Sequence, residues 1–210
     1  MRRFLRGYLQ TIYKPGKSFD QLIYDQNYFS RGFIYILIPI VAYTLMYIFL
    51  TIANGSPSVF TPWLNISRED YYSVNRFLLA PSMFLGWISA SALIQILSRF
   101  FKGDGTFEQT LSVVALSISI SMWGGLLHDL PMSFLSATGV IDARQHEIAM
   151  NSPGIFRILL WSFYSVYFIA FLTLFPLAVK VTQKLSTTKS IFIGWTGFIC
   201  FQLIFLIFNR

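Results

Sequence analysis

Five uncharged or nearly uncharged apolar runs constrain this chain more than any other feature. A membrane-spanning helix needs about 20 mostly apolar residues. Runs at roughly 33–53, 77–98, 110–127, 155–179 and 190–208 meet or approach that length, the fourth with Arg157 at its edge. They take up about half of the 210 residues and leave only short connections. Charged residues make up 12% of the chain, against about 25% in an ordinary soluble domain. That is too little charge to cover a water-exposed surface, so a soluble enzyme and a disordered tail are excluded as main readings. A disulfide scaffold is excluded too, because Cys200 is the only cysteine and cannot close an internal bridge.

Helices suit these runs better than barrel strands. Strands of a membrane barrel alternate apolar and polar residues, whereas FIYILIPIVAYTLMYIFL is continuously apolar. In hydrocarbon each backbone N–H and C=O must be paired within the segment, and a helix does that. The third run is diluted by Ser112, Ser117, Ser119 and Ser121. The uncharged stretch 130–141 that follows is too short to cross and reads as interfacial or re-entrant, with Pro131 and Gly139 in it. The expected fold is all-α: a polytopic membrane helix bundle with five transmembrane helices and one or two N-terminal interfacial amphipathic helices. Residues 1–30 form a cytoplasmic amphipathic segment in this reading, and residues 31–210 the membrane domain.

Lysine and arginine favour cytoplasmic loops. With five spans, eleven of the sixteen fall on one side, among them Arg2, Arg3, Arg6, Lys14, Lys17 and Arg31 before the first span. The N-terminus is therefore expected in the cytoplasm and the C-terminus on the opposite side. About 32 mostly polar residues precede the first run, which is too long for a signal-peptide core and reads as an anchor. A bacterial inner (plasma) membrane is the expected location.

Two places outside the spans carry specific patterns. Phe4, Leu5, Tyr8, Leu9, Ile12 and Tyr13 recur at helical spacing, with Arg2, Arg3, Arg6 and Gln10 on other faces. Basic residues opposite aromatics and leucines describe a helix in the membrane interface. It is a candidate contact for lipid or a partner through Arg2, Arg3, Phe4, Arg6, Tyr8 and Leu9. Pro15-Gly16 breaks it, and Ser18 with Gln21 predicts the cap of a second short helix to about Gln26. Between the second and third spans, Gly103-Asp104-Gly105 is a tight turn. Thr106 with Gln109 predicts a capping box at the start of the third span. Gly103, Asp104, Gly105 and Phe107 are candidate partner contacts.

No ionisable residue lies well inside an expected span, which weakens a proton-coupled transporter. Gln95 and Gln202 are the most polar deep residues; with Ser112 and Ser119 they are the candidates for a polar path through the bundle. His128-Asp129 and His146-Glu147 lie on the outer side and read as boundary polar residues, since no metal-ligand spacing accompanies them. No nucleophile elbow or phosphate loop is present, so neither catalysis, metal nor cofactor is expected. Ser82, Gly86 and Ala90 repeat every four residues, as do small residues at close helix contacts; Gly124-Gly125 and Gly194 with Gly197 suggest the same. Pro39 and Pro176 inside spans predict kinks.

The segment RFFKGDGTFEQTLSVVA, Arg99 to Ala115, resembles the Yip family, the Ypt/Rab-interacting membrane proteins. There a glycine-containing hairpin after the second span leads into a similar start of the third. Tyr13-Lys14-Pro15 followed by Phe19, Leu22 and Ile23 resembles the entry to the first span in bacterial members. The short form resembles prokaryotic members. The resemblance implies a non-enzymatic membrane scaffold or adaptor that works through partner binding or membrane organisation. The alternative is a small channel or transporter with a serine-rich third span. The expected partners are the lipid bilayer and a membrane or cytoplasmic protein or a second copy of the chain; nucleic acid is not expected.

Overall fold

The computed structural model describes residues 2–57 and 63–209, with side chains from Leu5 onward. The side chains of Arg2, Arg3 and Phe4, and the whole of Arg210, therefore lie outside the described residues. The chain forms α1 (Arg2–Tyr13), α2 (Pro15–Ile23), α3 (Tyr28–Ile52), α4 (Tyr71–Phe100), α5 (Phe107–Ala137), α6 (Ala143–Asn151), α7 (Ile155–Gln183) and α8 (Thr187–Asn209). Among the described residues there is no strand. The five helices α3, α4, α5, α7 and α8 are long and apolar enough to cross a membrane. Two short helices precede them, so the all-helical, five-span architecture is as expected.

Several helix limits differ from the sequence reading. The stretch 130–141 is no separate element: α5 runs through Pro131 to Ala137. Leu130 packs against the core and Ser133 and Ser136 are buried, so tertiary packing carries the helix past a proline whose lost hydrogen bond would favour a stop. At about 1.5 Å per residue α5 is roughly 46 Å long, against about 30 Å of hydrocarbon. His128 and Asp129, expected beyond the span, are inside this helix. The second short helix begins at Pro15 rather than Ser18. Proline lacks only an N–H that a first turn would leave unpaired anyway, and Ser18 is buried in the helix instead of capping it. The Thr106 capping box does form, with Gln109 N–H donating to Thr106 Oγ1 at 3.3 Å and Thr106 N–H to Gln109 Oε1 at 3.1 Å. Pro39 and Pro176 sit inside continuous helices.

Helix α5 is the centre of the bundle. It packs on α3, α7 and α4, while α8 closes the other side against α4 and α7. Inside lipid, burying a leucine gains little transfer energy, so close packing and interhelical hydrogen bonds hold helices together. Small residues provide the close approach. A Cβ on Gly32 would stand 2.6 Å from Ser112 Cα, and one on Gly124 2.5 Å from Tyr167 N. Gly194 lies against the backbone of Pro176, and Gly86 against the Phe201 ring. The serines of α5 are thus partly a packing device: Ser112 is the counterpart of Gly32. Phe171, Phe175, Phe198 and Phe201 fill the α7–α8 seam as a ring cluster, with Phe171 and Phe198 stacked at 5.1 Å.

Successive spans alternate in direction and give the bundle two ends. The hairpin end holds the turns 101–106 and 184–186. The far end holds α6 and the C-terminus of α8, where Tyr71 donates to the Asn209 carbonyl.

Candidate functional site: the N-terminal helix and the hairpin

The N-terminal helix is keyed into the bundle rather than lying loose on it. Tyr8 is buried, and its hydroxyl lies 2.9 Å from Ser119 Oγ and accepts from Trp123 Nε1 at 2.7 Å. Its ring stacks on Tyr35 of α3 at 5.7 Å. Burial pushes the Tyr8 hydroxyl above its ordinary value, while the bonds to Ser119 and Trp123 work the other way. Ser119 lies twelve residues into α5, roughly 18 Å along its axis, so α1 is set against the flank of the bundle. Thr11, one turn on from Tyr8, is also buried and donates to the Gly7 carbonyl at 3.0 Å.

That contact divides the single apolar stripe read from the sequence. Tyr8 and Thr11 face inward, whereas Leu5, Leu9, Ile12 and Tyr13 are exposed, with Arg6 exposed beside them. The next helix, α2, packs through buried Phe19, Leu22 and Ile23 and contacts α7 and α5.

The hairpin is a structural joint with an exposed rim. Gly103 and Gly105 are buried, while Asp104 and Phe107 are exposed. A Cβ on Gly105 would fall on the Thr182 carbonyl oxygen, and one on Gly103 would meet Gln183 Oε1 at 2.7 Å. Only glycine lets the turn approach the end of α7 this closely. Gln183 fills the junction: its Nε2 donates to Gln95 Oε1 at 2.8 Å and Thr110 Oγ1 at 2.7 Å, and its Oε1 accepts from Gly105 N–H at 3.2 Å. Thr110 donates to Gln95 Oε1 at 2.9 Å, and Gln95 Nε2 donates to the Gly105 carbonyl at 2.9 Å. Arg99 adds bonds to the Gly103 and Gly105 carbonyls, both at 3.2 Å. Three helices and a turn are tied here, and the amide and hydroxyl groups satisfy one another.

The four residues considered for a polar path are used locally. Gln95 belongs to the junction just described. Ser112 donates to the Glu108 carbonyl at 2.7 Å in its own helix. Ser119 holds Tyr8. Gln202 donates to Tyr167 Oη at 2.9 Å between α8 and α7. No bond among the described residues joins Gln95 to Gln202.

Sequence reasoning passed over Gln183, Thr110 and Trp123. Gln183 sits at the polar end of a span, where a glutamine looks like a solvated residue; Trp123 looks like one more apolar residue. Their roles depend on residues about 75 to 115 positions away, and no local pattern encodes that distance.

Buried hydroxyl and amide groups that pair across helices, with no strand and five helices long and apolar enough to span among the described residues, define a polytopic α-helical membrane protein whose N-terminal helix docks on its central span. The Yip1 domain family model matches residues 9–209, nearly the whole chain, so the chain belongs to that family. No curated protein and no solved structure matches it.

Proposed function

We propose that this protein is a non-enzymatic membrane scaffold or adaptor whose docking surface is the outward face of α1 together with the rim of the hairpin. One observation carries the reading. Tyr8 and Thr11 fix α1 on the bundle while Leu5, Leu9, Ile12 and Tyr13 stay exposed next to Arg6. An amphipathic helix that only anchored itself would need no bond to a central span. Fixing it presents the same apolar strip and the same basic residue in one orientation, which lowers the ordering cost of binding. Arg2, Arg3 and Phe4 belong to the same helix, and Asp104 and Phe107 are the exposed residues offered at the hairpin. The lysine and arginine distribution supports an N-terminus in the cytoplasm, and the resemblance to short prokaryotic members supports a bacterial inner membrane.

The channel alternative gains no support from Ser112 or Ser119, which are committed to a helix carbonyl and to Tyr8. The adaptor reading is tested by crosslinking in the membrane and identifying what is joined to the chain. A discrete protein partner is expected, lost when Leu9 and Ile12 are both changed to Gln and retained when the exposed far-end residue Val140 is changed to Gln. Unchanged recovery with the Leu9 and Ile12 substitutions would remove α1 from the function.

A further inference from the structure

The far end brings together two histidines that lie eighteen positions apart. The His128 ring of α5 and the His146 ring of α6 stack with centroids 5.4 Å apart and planes inclined by 19°. His128 Nδ1 lies 2.7 Å from Asp129 Oδ1, and the ring also packs on Phe163 of α7 at 5.7 Å. Glu147, beside His146, accepts from the Tyr72 hydroxyl of α4 at 3.3 Å. The nine residues of α6 are otherwise mostly exposed; only Ala143 and Met150 are buried. This helix is thus held by few contacts, and two of them, the ring pair and the Tyr72–Glu147 bond, involve titratable groups.

We propose that the stacked His128–His146 pair is an acid-operated latch, which holds α6 on the far end of the bundle while His146 is neutral and releases it when both rings are charged. Two imidazolium rings in face-to-face contact repel, whereas a neutral ring stacks on a charged one without that cost. The surrounding groups set the balance. From α5 come His128 and Asp129. From α4 comes Tyr72, already committed to Glu147. Tyr43 of α3 and Asp129 both border Gly125, 3.2 and 3.6 Å from where its Cβ would stand. From α7 comes Phe163, against the His128 ring, with Tyr164 beside Tyr43, while Arg157 on that helix is exposed. Within α6 itself are Glu147 and Arg144, and Asp142 caps it, accepting from Gln145 N–H at 2.8 Å.

Burial and the neighbouring His128 hold His146 below the ordinary imidazole value, and the opposite pull of Glu147 and Asp129 does not cancel them. The sign follows. A released His146 titrates near 6.5 and the held one lower, so the attachment is complete above about 6.5 and weakens as the pH falls through that value.

The test uses the full chain in lipid nanodiscs with Cys200→Ser and a single new cysteine. Met150→Cys places the thiol on the covered side of α6, and Ile148→Cys on its exposed side. The ratio of their rates with a thiol reagent cancels the pH dependence of the thiol chemistry. The ratio is expected to be low at pH 8 and to rise severalfold, toward equal rates, by pH 5. With His146→Phe, which keeps a flat ring without a charge, it should stay low at both. A ratio that does not change with pH, or that changes equally in the His146→Phe chain, overturns the latch. If Met150→Cys itself loosens α6, shown by a ratio near one at pH 8, the same ratio is read with Ala143→Cys, which is also buried.

Discussion

The hydroxyl of Tyr8 lies 2.9 Å from that of Ser119, joining the N-terminal helix to the middle of the central span. Removing it by Tyr8→Phe leaves Trp123 Nε1–H without its acceptor and Ser119 without its side-chain partner. A buried group left unpaired costs about 1–3 kcal/mol. The expected result is faster hydrogen exchange throughout α1, with the spans unaffected. Mass spectrometry of the protein in nanodiscs measures both.

Glycine substitutions should separate by sign. Gly105→Ala drives a methyl group into the Thr182 carbonyl, and overpacking of this kind costs about 1–3 kcal/mol. Gly16→Ala meets nothing within 4 Å inside α2, and gains up to about 1 kcal/mol from helix propensity. Thermal denaturation in detergent should show Gly105→Ala lowered and Gly16→Ala unchanged or raised.

Gly197 and Ile94 should be coupled. A methyl at Gly197 would stand 2.5 Å from Ile94 Cδ1 and 2.6 Å from Ile94 Cγ1, and the next residue is Ala90, whose carbonyl oxygen is 3.6 Å away. Gly197→Ala alone overpacks and Ile94→Ala alone leaves a void. Combined, they should cost less than the sum of the two by about 0.5–3 kcal/mol, the usual coupling of touching residues. A double-mutant cycle on unfolding in detergent reads this directly, and additive losses would contradict the packing.

The orientation is checked by reporters fused to each end. Eleven of sixteen basic residues lie on the side of the N-terminus and the hairpin, so the N-terminal reporter is expected in the cytoplasm and the C-terminal one across the membrane. Adding lysines at the far end, between α3 and α4, should reduce that preference.

Much of this protein was legible in order along the chain. Hydrophobicity over about 20 residues is a local property, so the five spans follow from the runs themselves, as does the Thr106–Gln109 cap from a spacing of three. The hairpin glycines were readable as a turn. Their closeness to Thr182 and Gln183 was not, because it depends on where α7 ends. The stripe of α1 was readable as amphipathic, but not which part of it would face the protein. Thr11 turns inward although it is polar, because Tyr8 beside it finds Ser119 and Trp123.

The sequence by itself determined that the chain is a five-span helical membrane protein, because the backbone in hydrocarbon has few alternatives and each run satisfies the requirement alone. Tertiary structure decided which polar groups meet. Gln183 joins Gln95 and Thr110, His128 meets His146, and Gln202 pairs with Tyr167 and not with Gln95. These pairings arise from helix order, rotation and close approach at small residues such as Gly32 and Gly124, and only the packed bundle specifies all three at once.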